Sequence, residues 1–136
     1  MNANEKAAWT ELIVSLAACG VALALAPFLG NAATSGFALL GLLPLSWLFF
    51  RRRGGEVMTD ERDDEIDRRA KYLSALAGWF TLLLAVIGLT MWSNFAGDHT
   101  VRTWVLNWLV WVQFVVVCGG HGLASVVLYR RQAHAA

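Results

Sequence analysis

LIVSLAACGVALALAPFLGNAATSGFALLGLLPLSWLFF, residues 12–50, holds no charged side chain over 39 positions. One membrane crossing takes about 20 apolar residues to traverse roughly 30 Å of hydrocarbon. The stretch is therefore long enough for two crossings. Its middle carries Pro27, Gly30, Asn31, Ser35 and Gly36, residue types that break helices and build turns. Outward from this stretch, two further blocks lack fixed charge: Tyr72 to Gly97, and Thr103 to Tyr129 with only the titratable His121 inside. The pattern predicts an all-α membrane protein of one domain, 1–136, with four transmembrane helices at about 10–29, 34–50, 72–92 and 104–128. These pair as two hairpins joined by an acidic and basic segment, 51–71. No block alternates apolar and polar residues with the period of two that a membrane barrel strand needs.

Composition points the same way. The chain is 57% hydrophobic and 15% charged, against about 25% charged in soluble domains. A core built from 136 residues cannot hide that much apolar surface, because small domains keep much of their area wet. The two cysteines, Cys19 and Cys118, sit inside apolar runs without the spacing of a zinc site or a disulfide framework.

Orientation follows from lysine and arginine. Lys6, Arg51, Arg52, Arg53, Arg62, Arg68, Arg69, Lys71, Arg130 and Arg131 fall on one side of a four-span arrangement, and Arg102 alone on the other. The positive-inside rule places both termini in the cytoplasm. Trp9 and Trp47 mark the inner interface, Trp92 and Trp104 the outer one. Reading the first span as a cleaved signal peptide is weaker, because its apolar run is long and Glu5 and Glu11 offset the basic flank.

The central segment has its own logic. Gly54 and Gly55 end the second helix, and Thr59 is placed to cap a new one. Acids come first and bases last, complementing the helix dipole. Asp64–Arg68, Glu65–Arg69 and Asp67–Lys71 stand i, i+4 in the favoured order. A single helix from about residue 60 to 92 follows, with its first three turns in the cytoplasm and Ile66, Ala70, Leu73 and Ala77 along one face. Small residues repeat at Ala18, Ala22 and Ala26, at Ser74 and Gly78, and at Cys118, Gly119, Gly120 and Gly122, where helix backbones can approach closely.

The block Thr59-Asp60-Glu61-Arg62-Asp63, followed by Ile66, Ala70 and entry into the third span, resembles a family of small bacterial membrane proteins known by a domain-of-unknown-function label. Its members carry a D-E-R-D-like motif between two helix pairs. The sharp match covers about a dozen residues, and the hydropathy match covers the chain. The resemblance implies a multi-pass protein of the bacterial cytoplasmic (inner) membrane, and it brings no activity with it.

Three groups of residues could carry function. Asp60, Asp63, Asp64 and Asp67 share one helix side at i, i+3, i+4, i+7 and, with Glu61 and Arg62, form a candidate docking face for a protein partner. A straight helix sets such carboxylates in a row rather than a cage of oxygens, so no metal site is expected. Arg51, Arg52, Arg53, Arg68, Arg69, Lys71, Arg130 and Arg131 form a basic collar suited to anionic lipid, with contact expected through Arg51, Arg52, Arg53, Arg130 and Arg131. Nucleic acid is not expected, since the neighbouring acids repel phosphate. His121, with Asn107 and Gln113, places polar groups at membrane depth, which marks function by default. His121 could line an oligomeric channel or small transporter, could ligate haem, or could simply bond a neighbouring helix. A haem would ask for a second ligand, and His99 and His134 lie at opposite sides. Trp104, Trp108 and Trp111 make a stripe facing lipid or a partner. No serine has a base and acid in nucleophilic arrangement, and no glycine loop fits a phosphate. The expectation is therefore a protein without enzymatic activity or cofactor. It would act through a protein partner or as a homo-oligomer by the helix Asp60 to Lys71.

Overall fold

The computed structural model describes residues 3–44, 61–97 and 100–133. Helix α1 runs Ala3–Leu29, α2 Glu61–Ala96 and α3 Thr103–Ala133. Between α1 and the undescribed stretch lies a 3₁₀ segment, η1, Gly30–Gly41. Helices α1 and α2 each stop at a residue that can leave the right-handed region. Gly30 (φ 55°) follows α1 and Gly97 (φ 67°) follows α2, the position where a left-handed residue closes a helix C-terminus.

Three stretches, not four, are long and apolar enough to cross a membrane among the described residues, and they contain α1, α2 and α3. The second span expected at 34–50 is not an α-helix over its first part: the chain is 3₁₀ as far as Gly41, and residues 45–50 lie outside the described ones. The local physics is visible. Thr34 Oγ1 donates to the Asn31 carbonyl at 3.0 Å, an i−3 bond in keeping with a three-residue turn. Gly36 meets the backbone of Ala22 so closely that a Cβ there would sit 2.8 Å from the Ala22 nitrogen. The chain thus reverses at Gly30 and η1 runs back along α1. At about 2.0 Å per residue a 3₁₀ segment spans more distance than the α-helix would with the same residues.

Helix α3 is the central element, packed on both α1 and α2, while η1 packs on α1 and also reaches α3. Small residues make these approaches. On α1 the buried positions are Ala8, Ser15, Ala18 and Ala22, at the i+3, i+4 spacing of one helix face. Gly122 of α3 lies against the Ala8 carbonyl and the Leu12 nitrogen, and Gly119 against Ser15. On α2 the buried face is Ile66, Ala70, Ser74 and Gly78. Leu73, expected on that face, is instead exposed. In lipid, such close approach supplies dispersion that the solvent cannot offer to separated helices.

The far half of the bundle is closed by aromatics. Phe37 of η1 is buried, stacked on Trp111 (centroids 5.7 Å, planes 5° apart) and edge-on to Trp108 (5.8 Å, 83°). Ala18, Ala22 and Leu40 complete this core. Two of the three tryptophans expected to face outward therefore face the core, while Trp104 is exposed.

Candidate functional site: a carboxylate–histidine clamp at one end of the bundle

Three distant parts of the chain meet around His121. Its Nδ1 lies 2.6 Å from Glu11 Oε2 of α1, and its Nε2 lies 3.1 Å from Asp67 Oδ1 of α2. The position follows from the packing of the helices: α3 is the central one, so a ring on it can reach both neighbours. Gly120 and Gly122 flank it, and Gly122 permits α1 to come close enough for the Glu11 carboxylate to touch the ring. A carboxylate only accepts hydrogen bonds, and only the imidazolium donates from both nitrogens. The doubly protonated ring is the form that satisfies both partners at once.

One turn away the pattern repeats with neutral donors. Tyr129 OH donates to Asp63 Oδ1 at 3.1 Å, and Asn4 Nδ2 donates to Asp63 Oδ2 at 3.0 Å. Lys71 bonds the remaining oxygen of Asp67. Arg130 sits 5.3 Å from the centre of the Trp9 ring, a cation–π contact that ties the end of α3 to α1. These groups border a cleft of about 340 Å³ whose polar walls include Glu11, Asp63, Asp67, Lys71, His121 and Tyr129. Its depth can be read from helix rise. Thr103 to His121 is 18 residues, about 27 Å at 1.5 Å each, close to the whole hydrocarbon thickness. The clamp stands at the end of the bundle that also holds the described starts of α1 and α2 and the end of α3.

The expected site residues separate into distinct roles. Asp63 and Asp67 turn inward to the clamp, Glu61 and Asp64 are exposed, the side chain of Arg62 is outside what is described, and so is Asp60. Of the expected ion pairs, Glu65–Arg69 and Asp67–Lys71 form. His121, Asn107 and Gln113 do not share a lumen. Asn107 Nδ2 donates to Thr34 Oγ1 of η1 at 3.2 Å, and Gln113 Nε2 donates to the Gly78 carbonyl of α2 at 2.6 Å. Each pins a different neighbour of α3. Both His121 nitrogens face carboxylates, which leaves neither aimed at an open coordination position. Among the described residues no group of three His, Cys, Asp or Glu side chains is arranged to hold a metal ion. Arg51, Arg52, Arg53, His99 and His134 lie outside the described residues.

Sequence reasoning missed Glu11, Asn4 and Tyr129. A signal for Glu11 was present. It falls between Ala8 and Ser15 at the same i+3, i+4 register as Ala18 and Ala22, so a charge stands on the small-residue face that packs inward.

A family model described as "Predicted membrane protein (DUF2178)" matches residues 4–131. The chain belongs to this family. The matched range takes in every member of the clamp, from Asn4 to Tyr129. No curated protein and no solved structure matches the chain. The membership carries a membrane location and an unassigned role.

Proposed function

We propose that this family member crosses the bacterial cytoplasmic membrane four times with both ends inside, and that it acts without enzymatic activity, holding the cytoplasmic start of α2 as a rigid docking helix for a protein partner. The membrane placement rests on the three apolar helices, on the reversal of η1 along α1 toward a fourth crossing, and on the gathering of Asn4, Asp63 and Tyr129 at one end. The basic residues of that end put it in the cytoplasm by the positive-inside rule.

The observation that carries the docking reading is the clamp. A helix start fully in water frays. Here Asp63 and Asp67 are fastened to α1 and α3, while Glu61 and Asp64 of the same turns stay exposed. The inward carboxylates fix the helix and the outward ones are left to meet a partner. A channel draws less support. Asn107, Gln113 and His121 point to three different partners, and Phe37, Trp108 and Trp111 fill the opposite half of the bundle.

A crosslinking experiment in native membranes tests this. A photo-crosslinker at Glu65 captures a defined band, and the double variant Glu61→Lys, Asp64→Lys loses it while inserting and melting as the parent does. Raised salt weakens capture too, because exposed charges are screened. A band at twice the chain mass would identify a second copy as the partner. An undiminished band in the double variant would sink the docking reading.

A further inference from the structure

A second cavity, of about 460 Å³, opens between α2 and α3 with no residue of α1 in its lining. Its walls are Tyr72, Leu73 and Leu128, and its rim is Arg68 and Arg69. The chemistry is divided along its length. Tyr72 and Leu73 begin the uncharged block of α2, while Leu128 is the next-to-last residue of that of α3, shortly before Arg130 and Arg131. The apolar part of the groove therefore lies at the depth of the uppermost acyl carbons, and the guanidinium groups lie at the depth of headgroup phosphates.

We propose that this groove is a binding site for one anionic glycerophospholipid of the cytoplasmic leaflet, with the phosphate on Arg68 and an acyl chain along Leu73 and Leu128. Charge sets the choice of ligand. Arg69 is held by Glu65, whereas Arg68 has no acid within ion-pair distance among the described residues. The rim thus presents one uncompensated guanidinium, matched to the single negative charge of a phosphodiester. A guanidinium fork takes two phosphate oxygens at once, which a lysine cannot do. The Tyr72 hydroxyl, on an exposed side chain beside the rim, adds a donor at the level where membrane tyrosines sit. A soluble acidic peptide would have no use for the Leu73 and Leu128 wall, and a zwitterionic lipid would bring a second cation against Arg68. The proposal uses the membrane placement above and is independent of the docking partner.

Native mass spectrometry of the full chain, released from micelles holding equal phosphatidylglycerol and phosphatidylethanolamine, tests it. One basic residue near an anionic headgroup favours it about fivefold, so the parent should retain the anionic lipid about fivefold over the other. Arg68→Gln should erase that preference, and Leu128→Trp, which fills the groove, should cut retention of the anionic lipid with Arg68 intact. Arg102→Gln, at the opposite end of the bundle, should leave the preference unchanged. Equal retention of both lipids by the parent, or a preference that survives both Arg68→Gln and Leu128→Trp, would overturn the proposal. So would displacement of the lipid by millimolar inorganic phosphate, because the site would then be reading phosphate alone. Failure of this test leaves the crosslink at Glu65 unaffected, and loss of that crosslink leaves the lipid preference unaffected.

Discussion

Replacing Gly122 with alanine adds one methyl group where α1 and α3 come closest. The new Cβ would stand 2.8 Å from the Ala8 carbonyl oxygen, 2.8 Å from the Leu12 nitrogen and 3.2 Å from Glu11 Cβ. Two of these neighbours are backbone and cannot rotate aside. To restore ordinary contact, at 3.4 Å and beyond, the helices must part by about 0.6 Å, and dispersion along the seam falls with even that much separation. Overpacking of this size costs about 1–3 kcal/mol. The neighbouring glycine supplies the comparison. A Cβ on Gly120 would lie 3.6 Å from Ser74 Cβ, an ordinary contact, so Gly120→Ala should change stability by no more than about 0.5 kcal/mol. Alanine's advantage over glycine in helix propensity, about 1 kcal/mol in water, contributes less here, since helices in lipid are formed before they associate. Gly20→Ala, with nothing within 4 Å, measures what remains of it. Reversible unfolding in mixed micelles, titrated with dodecyl sulfate and read by tryptophan fluorescence, should place Gly122→Ala about 1–3 kcal/mol below Gly120→Ala. Because Glu11 lies in the same turn as the clash, the variant should also lose the hydrogen bond from His121 to Glu11. Equal unfolding midpoints for the two variants would refute the account of how α1 and α3 pack.

Other consequences are open to measurement. Glu11→Gln and Asp67→Asn should each destabilise the bundle by about 1–3 kcal/mol, as charge-assisted bonds to His121 are lost, and a double-mutant cycle should show the two effects coupled; simple additivity would mean that the ring does not join them. Nitrogen-15 spectra of the parent at neutral pH should show both His121 ring nitrogens protonated, and a neutral tautomer there would contradict the two-carboxylate geometry. Phe37→Ala should cost about 2–3 kcal/mol, short of the 3–5 typical of soluble cores because lipid already solvates apolar surface; an unchanged melt would mean that η1 is not seated on Trp111. Tyr129→Phe should speed hydrogen exchange in the amides of 61–66 while sparing 74–90, and uniform exchange would show that Asp63 does not anchor the start of α2.

Much of the architecture could be read in the sequence because the signals are local or periodic. Charge-free blocks mark crossings, Gly30 falls at the expected end of α1, and acids placed four residues before bases mark the start of α2, whose end lies at Ala96 rather than near residue 92. The small residues of α1 and α3 also announced close packing, although their partners could be seen only in space. What failed depends on long-range geometry. Hydropathy reads Thr34 to Gly41 as apolar but is blind to whether three or four residues make a turn; the press of Gly36 on Ala22 belongs to the folded arrangement. Asp63 and Asp67 looked like part of an outward acidic face because their bonding partners are about 54 to 66 positions away in sequence. The i, i+3, i+4 pattern groups residues on a side without saying which side faces the bundle. Trp108 and Trp111 were misjudged for the same reason: aromatic stripes look alike whether they meet lipid or Phe37.

The clamp also fixes an order of events during synthesis. Glu11 and Asp67 enter the membrane boundary long before His121 leaves the ribosome, and they are joined only through it. Until α3 is complete, Glu11 and Asp67 lack the ring that they share. A chain released before residue 121 therefore leaves Glu11 without its His121 partner and Asp67 with Lys71 alone. Completion of the last helix is the step that closes the molecule. That gives a membrane protease or chaperone a simple chemical difference by which to tell a fragment from a whole.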